Sequence, residues 1–104
     1  MRLPSPDHCA AQGLDVRRWC EEGLVDVLVA GNPGGSEAET NYSFAPMLEL
    51  AAGTGTRVLG SQYARLGSDR LDAAPAAMVR GAACNAWAEG VDGLYLDMWF
   101  GIWP

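Results

Sequence analysis

The sequence predicts an α/β fold in which parallel strands alternate with helices, and three observations carry that prediction. Short runs rich in β-branched and apolar residues, at 25–30, 57–62 and 93–96, alternate with stretches whose apolar residues recur at helical spacing. A glycine closes each helical stretch shortly before the next strand, at Gly23, Gly53 and Gly90. Because a helix separates every pair of successive strands, neighbouring strands are expected to be parallel and joined by right-handed crossovers.

Residues 1–12, with Pro4 and Pro6, are expected to form an irregular N-terminal segment. Asp15 suits the N-cap of a helix running to Glu22, with Val16 and Trp19 on one face and Cys20 beside them. The run 25–30 is apolar enough for a strand buried on both faces, and Gly31-Asn32-Pro33-Gly34-Gly35-Ser36 breaks it. Ser43 can cap a second helix that tolerates Pro46 in its first turn and buries Phe44, Met47, Leu48 and Ala51. After the second strand a polar loop leads to Pro75, which suits the first turn of a third helix. In that helix Met78, Val79, Ala82, Ala83, Ala86 and Trp87 share the apolar spacing. Two helix-to-strand corners have the same order, Trp19, Gly23, Asp26 and Trp87, Gly90, Asp92. There Trp is expected to pack on the sheet and Asp to accept hydrogen bonds from loop amides, which are structural roles.

Composition excludes several function classes. Of the 104 residues 49% are hydrophobic, too many for a disordered acidic tail. Seven arginines are scattered against thirteen carboxylates, for a net charge of −6, and form no basic stripe of the kind nucleic acid requires. The chain contains no lysine, which removes a phosphate-loop lysine and a Schiff-base lysine. Cys9, Cys20 and Cys84 lack metal-ligand spacing, and His8 is the lone histidine, so no metal or cofactor is expected. The longest apolar stretch, broken by Asp97, is far shorter than the roughly 20 residues of a bilayer span, and no membrane association is expected. The first residues lack the apolar core of a secretory signal, and the compartment stays open.

The strands recur about every 30 to 36 residues, close to the repeat of an eight-unit barrel of about 250 residues. Three strands cannot close such a barrel, so the alternatives are a small open α/β sheet or a portion of something larger. The run Gly13-Leu14-Asp15-Val16-Arg17-Arg18-Trp19 with Glu22-Gly23-Leu24-Val25-Asp26-Val27-Leu28-Val29 resembles the late part of the glycosyl-hydrolase-like family 10 TIM-barrel proteins. The likeness continues through Ser43-Phe44-Ala45-Pro46-Met47-Leu48-Glu49-Leu50-Ala51, Gly53-Thr54-Gly55 and Arg80-Gly81-Ala82-Ala83-Cys84-Asn85-Ala86-Trp87-Ala88-Glu89-Gly90-Val91-Asp92-Gly93-Leu94-Tyr95-Leu96, covering most of the chain in the same order. It implies that residues 13–104 are about three βα units of a partial (β/α)8 barrel. It also implies glycoside hydrolysis by the whole barrel, a carbohydrate substrate, and a missing upstream part of the barrel as the partner.

On that reading, functional groups belong at the C-terminal ends of the strands. These positions hold Asn32, Glu37 and Glu39 after the first strand, and Gln62, Tyr63, Arg65, Asp69 and Asp72 after the second. The third contributes Asp97, Trp99 and Trp103. Glycosidase chemistry needs two carboxyl groups, and aromatic faces stack on sugar rings. Asp97, directly after an apolar strand, is the expected catalytic carboxylate, its structural alternative being a cap on loop amides. Asn32, Gln62, Tyr63 and Trp99 are the expected substrate contacts. Gln62 sits where related barrel glycosidases hold a nucleophilic Glu; an amide cannot serve as that nucleophile but can hydrogen-bond a sugar hydroxyl. Two further readings stand beside this one. One is a non-catalytic carbohydrate-binding or assembly module. The other is a small open-sheet domain binding a nucleotide at the Gly31–Ser36 turn, which lacks the GxGxxG order.

Overall fold

A computed structural model describes residues 2–32, 42–63 and 74–97. The chain runs β1 (Arg2–Leu3), α1 (Pro6–Ala11), α2 (Val16–Glu21), β2 (Val27–Ala30), α3 (Ala45–Ala51), β3 (Arg57–Tyr63), α4 (Ala76–Glu89) and β4 (Gly93–Asp97). The four strands form one sheet in the order β1-β2-β3-β4, every neighbouring pair parallel. The α/β class and the alternation of helices with parallel strands therefore hold.

Residues 1–12 depart from expectation: they contain β1 and α1 rather than an irregular segment, so among the described residues the sheet has four strands and not three. The prolines mislead here because each sits where it costs no hydrogen bond. Pro6 occupies the first turn of α1, where an amide would have no helical partner. Ser5 caps that turn, its side chain accepting from the His8 amide at 3.3 Å.

The other helix ends follow the sequence more closely. Asp15 caps α2 by accepting from the Arg18 amide at 3.0 Å. Gly23, with φ of 65°, closes α2: its amide bonds the Cys20 carbonyl while Leu24 reaches back to that of Trp19. Gly90 ends α4 in the left-handed region, at φ 103°. At α3 the expected Ser43 cap contributes one long bond, its hydroxyl accepting from the Ala45 amide at 3.4 Å, and a longer-range cap adds to it. The Glu89 carboxylate at the end of α4 accepts from the Phe44 amide (2.7 Å), the Ala45 amide (3.2 Å) and the Ser43 hydroxyl (3.0 Å). A negative charge at a helix N-terminus is favourable, and this one also ties α3 to α4.

All the helices lie on one face of the sheet. A Cβ placed on Gly60 of β3 would meet both the Phe44 ring at the start of α3 and Ala86 of α4. Val16 and Cys20 of α2 belong to the same buried cluster as Leu28, Ala30, Val58, Phe44, Met47 and Ala86. Consecutive parallel strands joined by crossovers of one hand must place their connections on one side, as in a (β/α)8 barrel. The opposite face bears Arg2, Val29, Leu59, Ser61, Tyr63, Tyr95 and Asp97, by the alternation of side chains along each strand and the pairing register.

That opposite face is concave. Register links Arg2 to Val29, Val29 to Leu59 and Leu59 to Gly93. In a flat sheet Asp97 would lie three strand spacings across from Arg2 and four residues farther along, roughly 19 Å away. Yet Arg2 Nε and Asp97 Oδ2 are 2.9 Å apart. With bonds of about 1.5 Å, side chains of this length span at most about 12 Å between Cα atoms. The sheet must coil to bring them together, as strands do when they wrap a barrel.

The Asp residues of the two helix-to-strand corners hold neighbouring strands. Asp92 Oδ2 accepts from the Val58 amide at 2.7 Å while its own amide donates to the Val58 carbonyl at 2.8 Å. Asp26 does this through its backbone, its carbonyl accepting from the Arg57 amide at 2.9 Å. Of the two corner tryptophans, Trp19 packs against the core, whereas Trp87 is 51% exposed, contrary to expectation. The helical period puts Trp87 one position beyond Ala86, the residue that faces the sheet.

Cys9 and Cys20 are buried and Cys84 is exposed; none of them is in a disulfide. Burial pushes the Cys9 thiol above its ordinary pKa, outweighing a backbone hydrogen bond that lowers it. Alkylation of the native protein at mildly alkaline pH is therefore expected to modify Cys84 at least about tenfold faster than Cys9. Peptide mapping after a short iodoacetamide pulse checks this. The raised thiol contributes stability that is complete below the unfolded thiol's pKa and is lost as pH climbs toward the folded value.

Candidate functional site

The C-terminal ends of the strands converge on the concave face, and the side chains gathered there define the site. β4 ends at Asp97, β3 at Tyr63, and β2 runs into Gly31 and Asn32. Arg2 enters from β1, its guanidinium 4.6 Å from the centre of the Tyr63 ring and its Nε on Asp97. Stacking on the ring orients the planar cation, and the ion pair fixes its edge. The Tyr63 hydroxyl donates to the Asn32 carbonyl at 3.2 Å, which pins the ring between β2 and β4. Tyr42 does the same above β1, donating to the Pro4 carbonyl at 3.3 Å.

A concavity of about 330 Å³ opens beside this cluster, lined by Arg2, Val29, Tyr95 and Asp97. Arg2 and Asp97 are each about one-fifth exposed, so the pair is shielded but reachable from it. Tyr95 offers an aromatic ring that is 43% exposed. Ser61, beside Tyr95 in register, carries a buried hydroxyl with no hydrogen-bond partner among the described residues. A guanidinium, a carboxylate and an exposed ring on one concave wall can hydrogen-bond a polyhydroxylated ligand and stack against its apolar face. A larger groove, about 490 Å³, lies among α1, α2 and Leu50 on the helical side. Its Asp15 is committed to the α2 cap, and it holds none of the strand-end groups.

The expected site residues separate into three groups. Asp97, Tyr63 and Asn32 meet at the strand ends, Asn32 contributing its carbonyl to Tyr63. Gln62 lies between Ser61 and Tyr63 on β3, so alternation turns it to the helical side, where it is 3% exposed. Trp99 lies outside the described residues, as do Glu37, Glu39, Arg65, Asp69, Asp72 and Trp103. Sequence reasoning missed Arg2, because it stood in a segment expected to be irregular. The Ser5-Pro6-Asp7 cap signature, three residues on, is the signal that could have marked Arg2 and Leu3 as a strand leading into a helix.

Among the described residues no group of three or more His, Cys, Asp or Glu is placed to hold a metal ion. None of their helices is long and apolar enough to cross a membrane. No known family's profile matches the chain, and a search of curated proteins finds no similar sequence.

Proposed function

We propose that this chain forms part of a (β/α)8 barrel that binds carbohydrate at the strand C-termini, with Asp97 in the hydrolysis of glycosidic bonds. The observation that carries this reading is the concave face of a sheet wound in one direction, on which Arg2 and Asp97 pair beside the exposed Tyr95 ring while the buried Tyr63 ring stacks on Arg2. In barrels of this kind, groups at strand C-termini do the chemistry. The consecutive strand order has no reversal point, the place where open α/β sheets bind nucleotides, so the nucleotide reading has less support.

Glycoside hydrolysis takes two carboxyl groups, one to protonate the leaving oxygen and one to act as nucleophile or base. Asp97 is the one carboxylate at the strand C-termini among the described residues, and it is paired with Arg2. That observation favours a second reading, carbohydrate recognition without turnover. A panel of nitrophenyl glycosides separates the two. The catalytic reading expects turnover that falls at least about a hundredfold in kcat in Asp97→Asn with KM little changed. The binding reading expects saturable, calorimetrically measured binding of oligosaccharide with no turnover, weakened in Asp97→Asn. Turnover unchanged by Asp97→Asn removes Asp97 from the site, and neither turnover nor binding removes the carbohydrate reading.

A further inference from the structure

Resting on the carbohydrate reading of the concave face, we propose that the Arg2 side chain is a strap lying in the ligand subsite itself. A sugar enters by displacing its guanidinium from Tyr63 and Asp97, and the Ser61 hydroxyl beside them becomes a further ligand contact. The ring and the carboxylate that would serve a sugar at these strand ends are both engaged by this one side chain. The guanidinium lies 4.6 Å from the centre of the Tyr63 ring, which is 3% exposed, and Arg2 Nε stands 2.9 Å from Asp97 Oδ2.

Register gives the route of the strap. Arg2, Val29, Leu59 and Gly93 form one row across the sheet. Two residues farther along come Gly31, Ser61 and Tyr95, and two beyond those come Tyr63 and Asp97. The line from Arg2 to Tyr63 therefore crosses β2 at Gly31 and passes beside Ser61. Gly31 has no side chain to obstruct it; a Cβ there would stand on the same face, 2.6 Å from the Ser61 Cβ and 3.4 Å from its Oγ.

Ser61 is a second, independent observation. It is 8% exposed, and its Oγ is buried with no hydrogen-bond partner among the described residues. A buried hydroxyl without a partner is costly and calls for an explanation, and a ligand hydroxyl supplies one. Ser61 and Tyr63 are same-face neighbours on β3, about 7 Å apart, which is the span of a pyranose ring with its hydroxyls. A ring stacked on Tyr63 in place of the guanidinium thus reaches Asp97 with one hydroxyl and Ser61 with another. The contacts that the strap gives up are of modest strength near solvent. The long stem of Arg2 lets the guanidinium swing out while β1 stays paired with β2. The concavity lined by Arg2, Val29, Tyr95 and Asp97 is the way in. A strap that must move before binding lowers the apparent affinity in proportion to the fraction of chains in which it is open.

Calorimetric titration of the 104-residue chain with malto-, cello-, xylo- and mannohexaose tests this. Arg2→Ala is expected to bind the preferred oligosaccharide at least about fivefold tighter than the unmutated chain, since the closed state is gone. Ser61→Ala, added to the Arg2→Ala chain, is expected to weaken that binding at least about threefold with no fall in the thermal midpoint, because the folded chain loses no hydrogen bond. A merely structural pair between Arg2 and Asp97, or an Arg2 that itself grips the sugar, gives unchanged or weaker binding in Arg2→Ala, and that result overturns the proposal. A Ser61→Ala chain that binds as tightly as its parent, or melts several degrees lower, overturns it too. Where Arg2→Ala does not fold, Arg2→Met keeps the apolar stem and takes its place. The unmutated chain gives a check free of substitution: the Arg2 Nε–H proton, followed by NMR, should exchange with water at least about tenfold faster at saturating oligosaccharide. An unchanged exchange rate overturns the strap. If no folded protein of the set binds any of the four oligosaccharides, the carbohydrate reading has failed and the strap with it, an outcome distinct from binding that the loss of Arg2 leaves unimproved.

Discussion

Phe44→Ala is expected to lower the unfolding free energy by about 3 to 5 kcal/mol, a large share of the roughly 5 to 15 kcal/mol typical of a domain this size. Phe44 is 5% exposed and packs between the sheet and the helices that cover it. Its ring fills the space above Gly60, where an added Cβ would lie 3.1 Å from it, and meets the Tyr42 ring edge-on at a centroid distance of 4.8 Å. Its amide is the shortest of the bonds to Glu89, so the residue also holds the start of α3 against α4. Urea unfolding followed by far-UV circular dichroism measures the loss, and a decrease under about 1 kcal/mol would contradict this account. The double variant with Gly60→Ala gives a sharper test. Gly60→Ala alone crowds the ring and is expected to destabilise, whereas in the Phe44→Ala background the new methyl enters the vacated space and recovers part of the loss. The two substitutions should therefore be strongly non-additive.

Gly31→Ala is expected to cost about 1 to 3 kcal/mol although one methyl group is all that is added. A Cβ at Gly31 would stand 2.6 Å from the Cβ of Ser61, an atom fixed to the backbone of β3 that cannot swing aside. The strands would have to separate. Because the Gly31 amide donates to the Leu3 carbonyl at 3.0 Å, that shift would also drag on β1 and so on the pair between Arg2 and Asp97. Ser61→Gly should restore most of the stability in the double variant. Ser61→Ala, which keeps the offending Cβ, should not, and equal rescue by both would show that the hydroxyl rather than the Cβ is the obstacle. Thermal melts of the four proteins decide between these outcomes, and the affinity for any bound oligosaccharide should track the same order.

The strands and helices were legible because their signals are local. Asp15 before Val16, Gly23 and Gly90 after their helices, and the apolar runs ahead of Ala30 and Gln62 each act over a few residues, and the structure places the elements there. Expectations failed where a distant partner overrode a local signal. Ser43 looked like the cap of α3, but its hydroxyl reaches the Ala45 amide only at 3.4 Å, and Glu89, more than forty residues away, takes the Phe44 and Ala45 amides at shorter range. Trp87 matched Trp19 in its motif, yet the neighbouring Ala86 faces the sheet and leaves the indole outside. The first twelve residues looked irregular because a two-residue strand has too few positions to show a period, and only pairing with β2 makes it one.

The candidate site divides along the same line. The sequence alone determined the α/β class, the absence of lysine chemistry, and, to within one residue, where β2, β3 and β4 end, since these follow from composition and short-range pattern. It could not determine which of the strand-end residues meet. Side-chain alternation turns Tyr63 to the concave face and Gln62 to the helical one, and that depends on the phase of β3 against its neighbours. Arg2 and Asp97, ninety-five positions apart, come together only because the sheet coils. Coiling is a property of packed, twisted strands taken together, and no stretch of the chain carries it by itself.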